Sequence, residues 1–424
     1  MMNNKTKAIV GDIVRDATYT FYGMGKRGVF GRCIEKAYSK IMSLCGMSYY
    51  PIVSAQIYQE QTDNVSLKDI VVDRIGWEGN VVYDDEEYAP ELKQQPLPDI
   101  RQHIYKNVYI SGDSDMIVDI ERGYIVNDAC YNIAPEVLFV DGLLYRDKKN
   151  VGVLRNNMKH TDEIIPSGIM IHGKFSQNYF HSIIENLIRL VIVNDLDIPK
   201  EVPLLVDDKV RIIPSLGSIL KILNEKKDRP VIYLSPSKIY KVEKLFYIDH
   251  INKLVPHTKS VNTNREGFVA FDKTYLMRMK GMLLEHVSDT PTPKRVFLTR
   301  KNTNHRNYNE SEVFSILEHL GFVKVAPEEY SFEKQMALFN RAEWIVGGSG
   351  AAFTNVLFCS ENCKIVVFRP IHNKNTSPLF PTLAYLNNCK LVYFLPSQSD
   401  SSSSIHTDYR IDAEAFANYM QSQL

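Results

Sequence analysis

From residue 295 onward the chain alternates short, wholly apolar runs with helix-like segments, and nothing else in it limits the fold so tightly. Strands are expected at 295–299, 322–325, 344–347, 364–368 and 391–395, with helices at 310–320, 333–340, 351–358 and 379–387. Runs apolar on both faces belong to strands covered on both sides, and such strands separated by helices form a parallel, doubly wound sheet. A similar series begins at 166, with strands at 168–172, 203–206, 231–234 and 245–248 and helices at 178–193 and 212–223. A long helix, 271–286, and the hinge Pro291-Thr-Pro293 divide the two series. The expected fold class is α/β, with two Rossmann-like doubly wound lobes facing a cleft.

The remainder reads differently. Residues 1–50 look helical, with Ile34, Ala37, Tyr38, Ile41 and Met42 as an apolar stripe. Between 51 and 165, short apolar runs such as Val108-Tyr-Ile110, Tyr124-Ile-Val126 and Val137-Leu-Phe139 are separated by Gly, Asp and Asn turns, as in an antiparallel β region. Ser397–Ser404 reads as a linker to a last helix, 411–422. The expected organisation is a helical segment 1–50, a β-rich extension 51–165, lobes 166–290 and 291–396, and a tail 397–424.

Composition removes some classes. Of the 424 residues, 50 are Lys or Arg and 50 are Asp or Glu, so no global charge points to nucleic acid. Residues 1–40 are locally basic and interleaved with Phe21, Val29, Phe30 and Ile34. That segment can lie on an anionic membrane or simply be a solvated helical surface, which is the plainer reading. There is no apolar run of spanning length and no signal-peptide core at the N-terminus, so a cytoplasmic location is expected. Six scattered cysteines make no disulfide framework, and Cys359 and Cys363 lack the spacing of a zinc site.

Four motifs carry candidate chemistry. In Asn178-Tyr-Phe-His181-Ser-Ile-Ile-Glu185, a His in a first helical turn sits at the exit of a strand, where open sheets bind ligands. His181 can act as a base with Glu185 orienting it; alternatively His181, Glu185 and Arg189 form a surface ladder at fourfold spacing. Asn178 or Ser176 can cap the helix. Arg300-Lys301, with His305 and Arg306, follows the strand 295–299; the competing reading is a surface basic loop. Gly347-Gly-Ser-Gly350-Ala351-Ala352 turns a strand into a helix and can offer backbone NH groups to a phosphate. It fits neither the P-loop pattern nor G-x-G-x-x-G, which argues against an ATP P-loop and a nicotinamide oxidoreductase. Asp113-Ser-Asp115 follows a glycine in the β-rich part and reads as a turn before a metal site.

Taken in order, Asn178-Tyr-Phe-His181, Thr299-Arg-Lys301 with Arg306, Asn309-Glu310, Glu333-x-Gln335, and Gly350-Ala351 with Asn355 resemble glycosyltransferase family 61. That domain is shared by secretory protein O-GlcNAc transferases, plant xylan transferases and bacterial capsule or lipopolysaccharide enzymes. The resemblance runs from about 105 to 395. It implies a GT-B type, inverting transferase without metal or other cofactor, whose partners are a nucleotide sugar and a glycan or lipid-linked glycan acceptor. It implies donor contacts from Arg300, Lys301, Arg306, Ser349, Gly350, Ala351 and Asn355. Catalytic roles fall to His181 and Glu185, and Asn178 and Tyr179 lie on the acceptor side. Ser349 stands where the family often has His, and Ser182 where Trp is common, which keeps a non-catalytic sugar-nucleotide-binding or scaffold protein as the alternative.

Overall fold

The fold is taken from a computed structural model that describes residues 47–128, 144–147, 151–155, 159–254, 269–300, 306–369, 377–396, 398–399 and 408–424. The expected helix 1–50, apart from its last residues, the strand at 137–139, Lys301, His305 and most of the Ser397–Ser404 linker lie outside those residues, as does the basic segment 1–40.

An 11-stranded mixed sheet fills the N-terminal half. Its parallel part comprises β1 (Lys159–Met170), β2 (Leu204–Asp207), β3 (Val231–Leu234) and β4 (Lys238–Ile248), in the order β3-β2-β1-β4. Strand Ile100–Ile110 pairs antiparallel with β4, Tyr105 opposite Leu245, and the remaining strands continue outward in antiparallel pairs apart from Met47–Val53, which lies parallel to Tyr124–Val126. The N-terminal half therefore differs from expectation. The boundary drawn at 165/166 falls inside β1, and the β-rich segment shares a sheet with the strands after it. The first half of β1, Lys159-His-Thr-Asp-Glu163, is polar and gives no apolar signal, so only the later half is legible as a strand.

The C-terminal half forms a separate five-stranded sheet in which every pairing is parallel. Its strands are β5 (Arg295–Leu298), β6 (Val323–Val325), β7 (Trp344–Gly348), β8 (Lys364–Phe368) and β9 (Lys390–Phe394), ordered β6-β5-β7-β8-β9. The topology reverses between β5 and β7, so a crevice opens beyond their carboxyl ends. A Cβ on Gly347 would lie 2.7 Å from the Leu298 carbonyl oxygen, so only glycine lets β7 approach β5 so closely.

The two sheets share one core. Ile183, Leu204 and Phe246 from the first half belong to the same buried cluster as Leu298, Phe339, Val356 and Leu391 from the second. A hairpin, Arg74–Gly79 with Leu92–Leu97, reaches across as well. Its Trp77 pairs with Phe271, and the Gly79 N–H donates to Thr382 Oγ1 at 2.8 Å. Tyr83 bridges to Tyr393 on the edge strand β9, and Asp84 accepts the Leu395 N–H at 2.7 Å. The exposed edge of the second sheet is thereby covered. The last helix, Ala413–Gln423, packs Phe416 and Met420 against Phe368 and Phe394.

Candidate functional site

The loop after β5 and the loop after β7 meet at the reversal point of the second sheet. Arg300 Nη1 donates to the Ser349 carbonyl at 3.4 Å, and Arg306 Nη1 donates to the same oxygen at 3.1 Å. Arg369 leaves the end of β8. Burial, with Arg300 and Arg369 as neighbouring charges, pulls the Arg306 guanidinium below its usual range. The carboxyl ends of β5 and β8 thus bring three guanidinium groups, Arg300 and Arg306 from the first and Arg369 from the second, together beside the loop after β7. Such planar, permanently charged groups match phosphate oxygens in pairs.

The small-residue loop contributes differently from expectation. The Ser349 N–H is committed to the Phe368 carbonyl at 2.7 Å. Gly350 has φ −169°, extended backbone open to any residue, so the turn does not require glycine for its conformation. A Cβ there would lie 3.4 Å from Arg300 Nε, in ordinary contact, so the residue at 350 packs directly against the guanidinium. The following segment, Ala351–Phe358, is a 3₁₀ helix. Ala351 opens it and is exposed, whereas Asn355 is wholly buried.

Asn355 ties the halves together. Its Oδ1 accepts from Tyr179 Oη at 2.7 Å, and its Nδ2 donates to Gln335 Oε1 at 3.2 Å. Gln335 Nε2 continues to Ser215 Oγ at 3.0 Å. Burial drives the Tyr179 phenol far above its ordinary pKa, so it remains a neutral donor. The polar atoms of Tyr179 and Asn355 are spent on each other and on Gln335.

The helical run 179–193 is expected as one regular helix, but it is a composite. One α turn, Tyr179–His181, leads to a π-helical turn, Ser182–Asn186, then a 3₁₀ turn, Leu187–Arg189, and a last α turn, Leu190–Val193. Asn178 supplies the cap, its side chain accepting from the Phe180 N–H at 3.0 Å. Ser176 instead closes a loop with the Gly173 carbonyl at 2.7 Å. His181 Nδ1 lies 2.6 Å from Glu185 Oε2, with side chains 20% and 13% exposed. Arg189 departs from the ladder reading: it is fully buried and donates to the His172 carbonyl at 2.8 Å and to the Ile248 carbonyl at 3.3 Å. A π turn adds a residue, about 100° of helical rotation, and this swings Arg189 inward.

Asp113-Ser-Asp115 is a turn, with Asp113 at φ 51°. In sequence it belongs to the β-rich part; in space it sits against loops of the parallel strands. Asp113 Oδ1 accepts the Ser176 N–H at 3.3 Å, and Lys174 and Lys209 approach its Oδ2 at 3.7 and 3.5 Å. His250 Nε2, just past β4, lies 3.8 Å from Asp115 Oδ1. His172, at the end of β1, is buried; desolvation first, then Arg189, lowers its pKa to about 3.

Sequence reasoning brought together Arg300, Arg306, Ser349 and Gly350, and it paired His181 with Glu185. It missed Arg369, although the signal was available: this arginine follows β8 as Arg300 follows β5, at the edge where open sheets bind ligands. No signal pointed to Ser215, which joins the Asn355 chain only through tertiary packing.

No curated protein matches the chain at a significant level. Among solved structures, a single-site mutant of glucose dehydrogenase from Haloferax mediterranei aligns at 11% identity over 85% of this chain and 82% of that chain, with a TM-score of 0.16, too low to carry a fold argument. No helix among the described residues is long and apolar enough to cross a membrane. A family model described as Glycosyltransferase 61 matches residues 179–366, from the tyrosine beside His181 through the arginine loop and β7 into β8. That match takes in His181, Glu185, Arg300, Arg306 and the Ser349 loop, and it supports a glycosyltransferase 61 domain over those residues.

Proposed function

We propose that the chain is an inverting glycosyltransferase of GT-B type, transferring a sugar from a nucleotide-sugar donor to a hydroxyl acceptor. The observation that carries this reading is the convergence of Arg300, Arg306 and Arg369 at the reversal point of the second sheet, inside or adjoining the matched domain. A diphosphate bound there would meet fixed positive charge. As the glycosidic bond to the donor breaks, negative charge develops on the leaving diphosphate, and prepositioned guanidiniums stabilise it without reorganising. That role needs no metal, and metal-independent turnover forms part of the proposal.

His181 is the proposed base. Glu185 holds Nδ1, so Nε2 accepts the acceptor hydroxyl proton while its oxygen attacks the anomeric carbon. The proton passes to the imidazole, the new carbon–oxygen bond forms, and the nucleoside diphosphate leaves from the opposite face. Assembly of a bacterial capsule or lipopolysaccharide on a lipid-linked acceptor, at the cytoplasmic side of the membrane, is the proposed setting.

One paired experiment tests the assignment. Nucleotide-sugar binding is measured by calorimetry and turnover by nucleotide release, in the presence of EDTA and with Mn²⁺. Arg300→Ala is expected to weaken donor binding by about 1.5–3 kcal/mol. His181→Ala is expected to leave donor affinity intact and lower turnover by roughly 10²–10⁴-fold. Unchanged donor affinity in Arg300→Ala overturns the donor site, and binding without turnover in the wild type makes the chain a binding protein. Donor affinity that requires Mn²⁺ overturns the metal-independent step.

A further inference from the structure

Away from the arginine cluster and the His181–Glu185 pair, three potential ligand side chains converge on the first sheet. They are His103 on strand Ile100–Ile110, Asp249 just past β4, and Asp128 just past strand Tyr124–Val126. One ligand atom from each lies within 4.8 Å of the others. These residues are far apart in sequence, and only the pairing of Ile100–Ile110 with β4, together with the packing of the 124–128 segment, brings them together.

The geometry at His103 separates this cluster from an ordinary ion pair. The ring is 1% exposed. Its Nε2 lies 2.8 Å from Asp249 Oδ1, yet it meets no partner with hydrogen-bond alignment. The two atoms are thus in contact without a made hydrogen bond, and they are close enough together to share one ion. Two donors each about 2.1 Å from a divalent ion lie roughly 3 Å apart. The other nitrogen, Nδ1, is 3.0 Å from Tyr105 Oη. A partner of this kind fixes the ring's orientation and its protonated side in metal sites. The carboxylates are steadied too: Asp249 Oδ2 accepts the Arg101 N–H at 3.0 Å, and Asp128 Oδ1 accepts the Ala55 N–H at 3.3 Å. Asp128 and Asp249 are partly exposed, so an ion could enter and keep a water in its remaining position.

We infer that His103, Asp128 and Asp249 form a binding site for a divalent first-row transition cation. One imidazole and two carboxylates suit Zn²⁺ or Mn²⁺ better than Mg²⁺ or Ca²⁺, which prefer all-oxygen ligands. The site ties an antiparallel strand to the end of β4 and to the 124–128 segment, so its role is to brace the sheet. It shares no residue with the proposed transfer site, and Asp249→Asn separates the two readings: a Mn²⁺ requirement for donor binding that persists in this variant belongs to transfer, and one that disappears with it belongs to the brace.

The test uses the full chain, stripped with a chelator and titrated with Zn²⁺ against a chromophoric competitor, with the melting temperature followed in parallel. The wild type is expected to bind one high-affinity equivalent and to melt higher with Zn²⁺ than without. Asp249→Asn keeps the side-chain shape and can still accept the Arg101 N–H; it is expected to lose at least tenfold in affinity, as is His103→Ala. Tyr105→Phe, which removes only the ring's outer partner, is expected to lose roughly 10–100-fold. If the wild type shows no saturable equivalent, or if Asp249→Asn and Tyr105→Phe bind as the wild type does, the site is overturned. Should His103→Ala fail to fold, those two variants still decide.

Discussion

Gly350 lies directly beside Arg300. Its backbone is extended, so a side chain there is conformationally allowed, and a Cβ would sit in ordinary contact with Arg300 at 3.4 Å from Nε; it is the γ-methyls of a larger side chain that would reach into the guanidinium's place. Gly350→Val is therefore expected to displace the guanidinium and weaken nucleotide-sugar binding, while the urea midpoint moves little. An unaltered donor affinity in calorimetry would refute the fit. His172 makes a different prediction at the same scale. Its folded pKa is about 3 against roughly 6.5 unfolded, so the unfolded chain binds the extra proton between those values. Stability is fully present above pH 6.5 and is lost as pH falls, by about 2 kcal/mol at pH 5. Asp207 acts in the opposite sense: burial raises its pKa to about 6, so it adds stability as pH drops from 6 toward its unfolded value. Comparing wild type with His172→Gln in urea at pH 7 and pH 5 isolates the histidine. The wild type should lose about 2 kcal/mol more than the variant, and equal losses would rule the effect out.

At the scale of elements, legibility followed the source of each signal. Four of the five strands of the second sheet, β5, β7, β8 and β9, were readable because both faces are covered and nearly every position is apolar, whereas the edge strand β6 exposes Val323 and Lys324. The strand exits, and so Arg300 and Arg306, came with them. The polar start of β1 carried no such signal, and sheet membership depends on hydrogen bonds to Ile100–Ile110 and β4 that no local pattern records. The π turn was invisible for a related reason, since the fourfold spacing of His181, Glu185 and Arg189 fits a regular helix equally well. The joint between helix 179–193 and the 3₁₀ helix Ala351–Phe358 yields a prediction. Asn355→Ala strands the Tyr179 hydroxyl and the Gln335 amide in the interior and should cost about 1–3 kcal/mol. Adding Tyr179→Phe should cost less than the sum of the two single changes. Strict additivity in urea unfolding would mean that the two side chains do not interact.

For the whole molecule, the shared core implies that the two sheets unfold together. The chain contains two tryptophans, Trp77 on the crossing hairpin and Trp344 at the start of β7. Trp77→Phe and Trp344→Phe each leave one fluorophore, one in either half, and both should report the same urea midpoint. Midpoints that separate would show the halves to be independent units. The hairpin has a further consequence during synthesis. Asp84 finds its partner at Leu395, 311 residues later. A ribosome adding about 5–20 residues per second needs roughly 15–60 s to cover that distance. Until that strand emerges, then, the nascent chain cannot close the contacts of Tyr83 and Asp84 with it, even though the same arm can already set Trp77 against Phe271, so the seam between the two sheets is completed only at the end of synthesis.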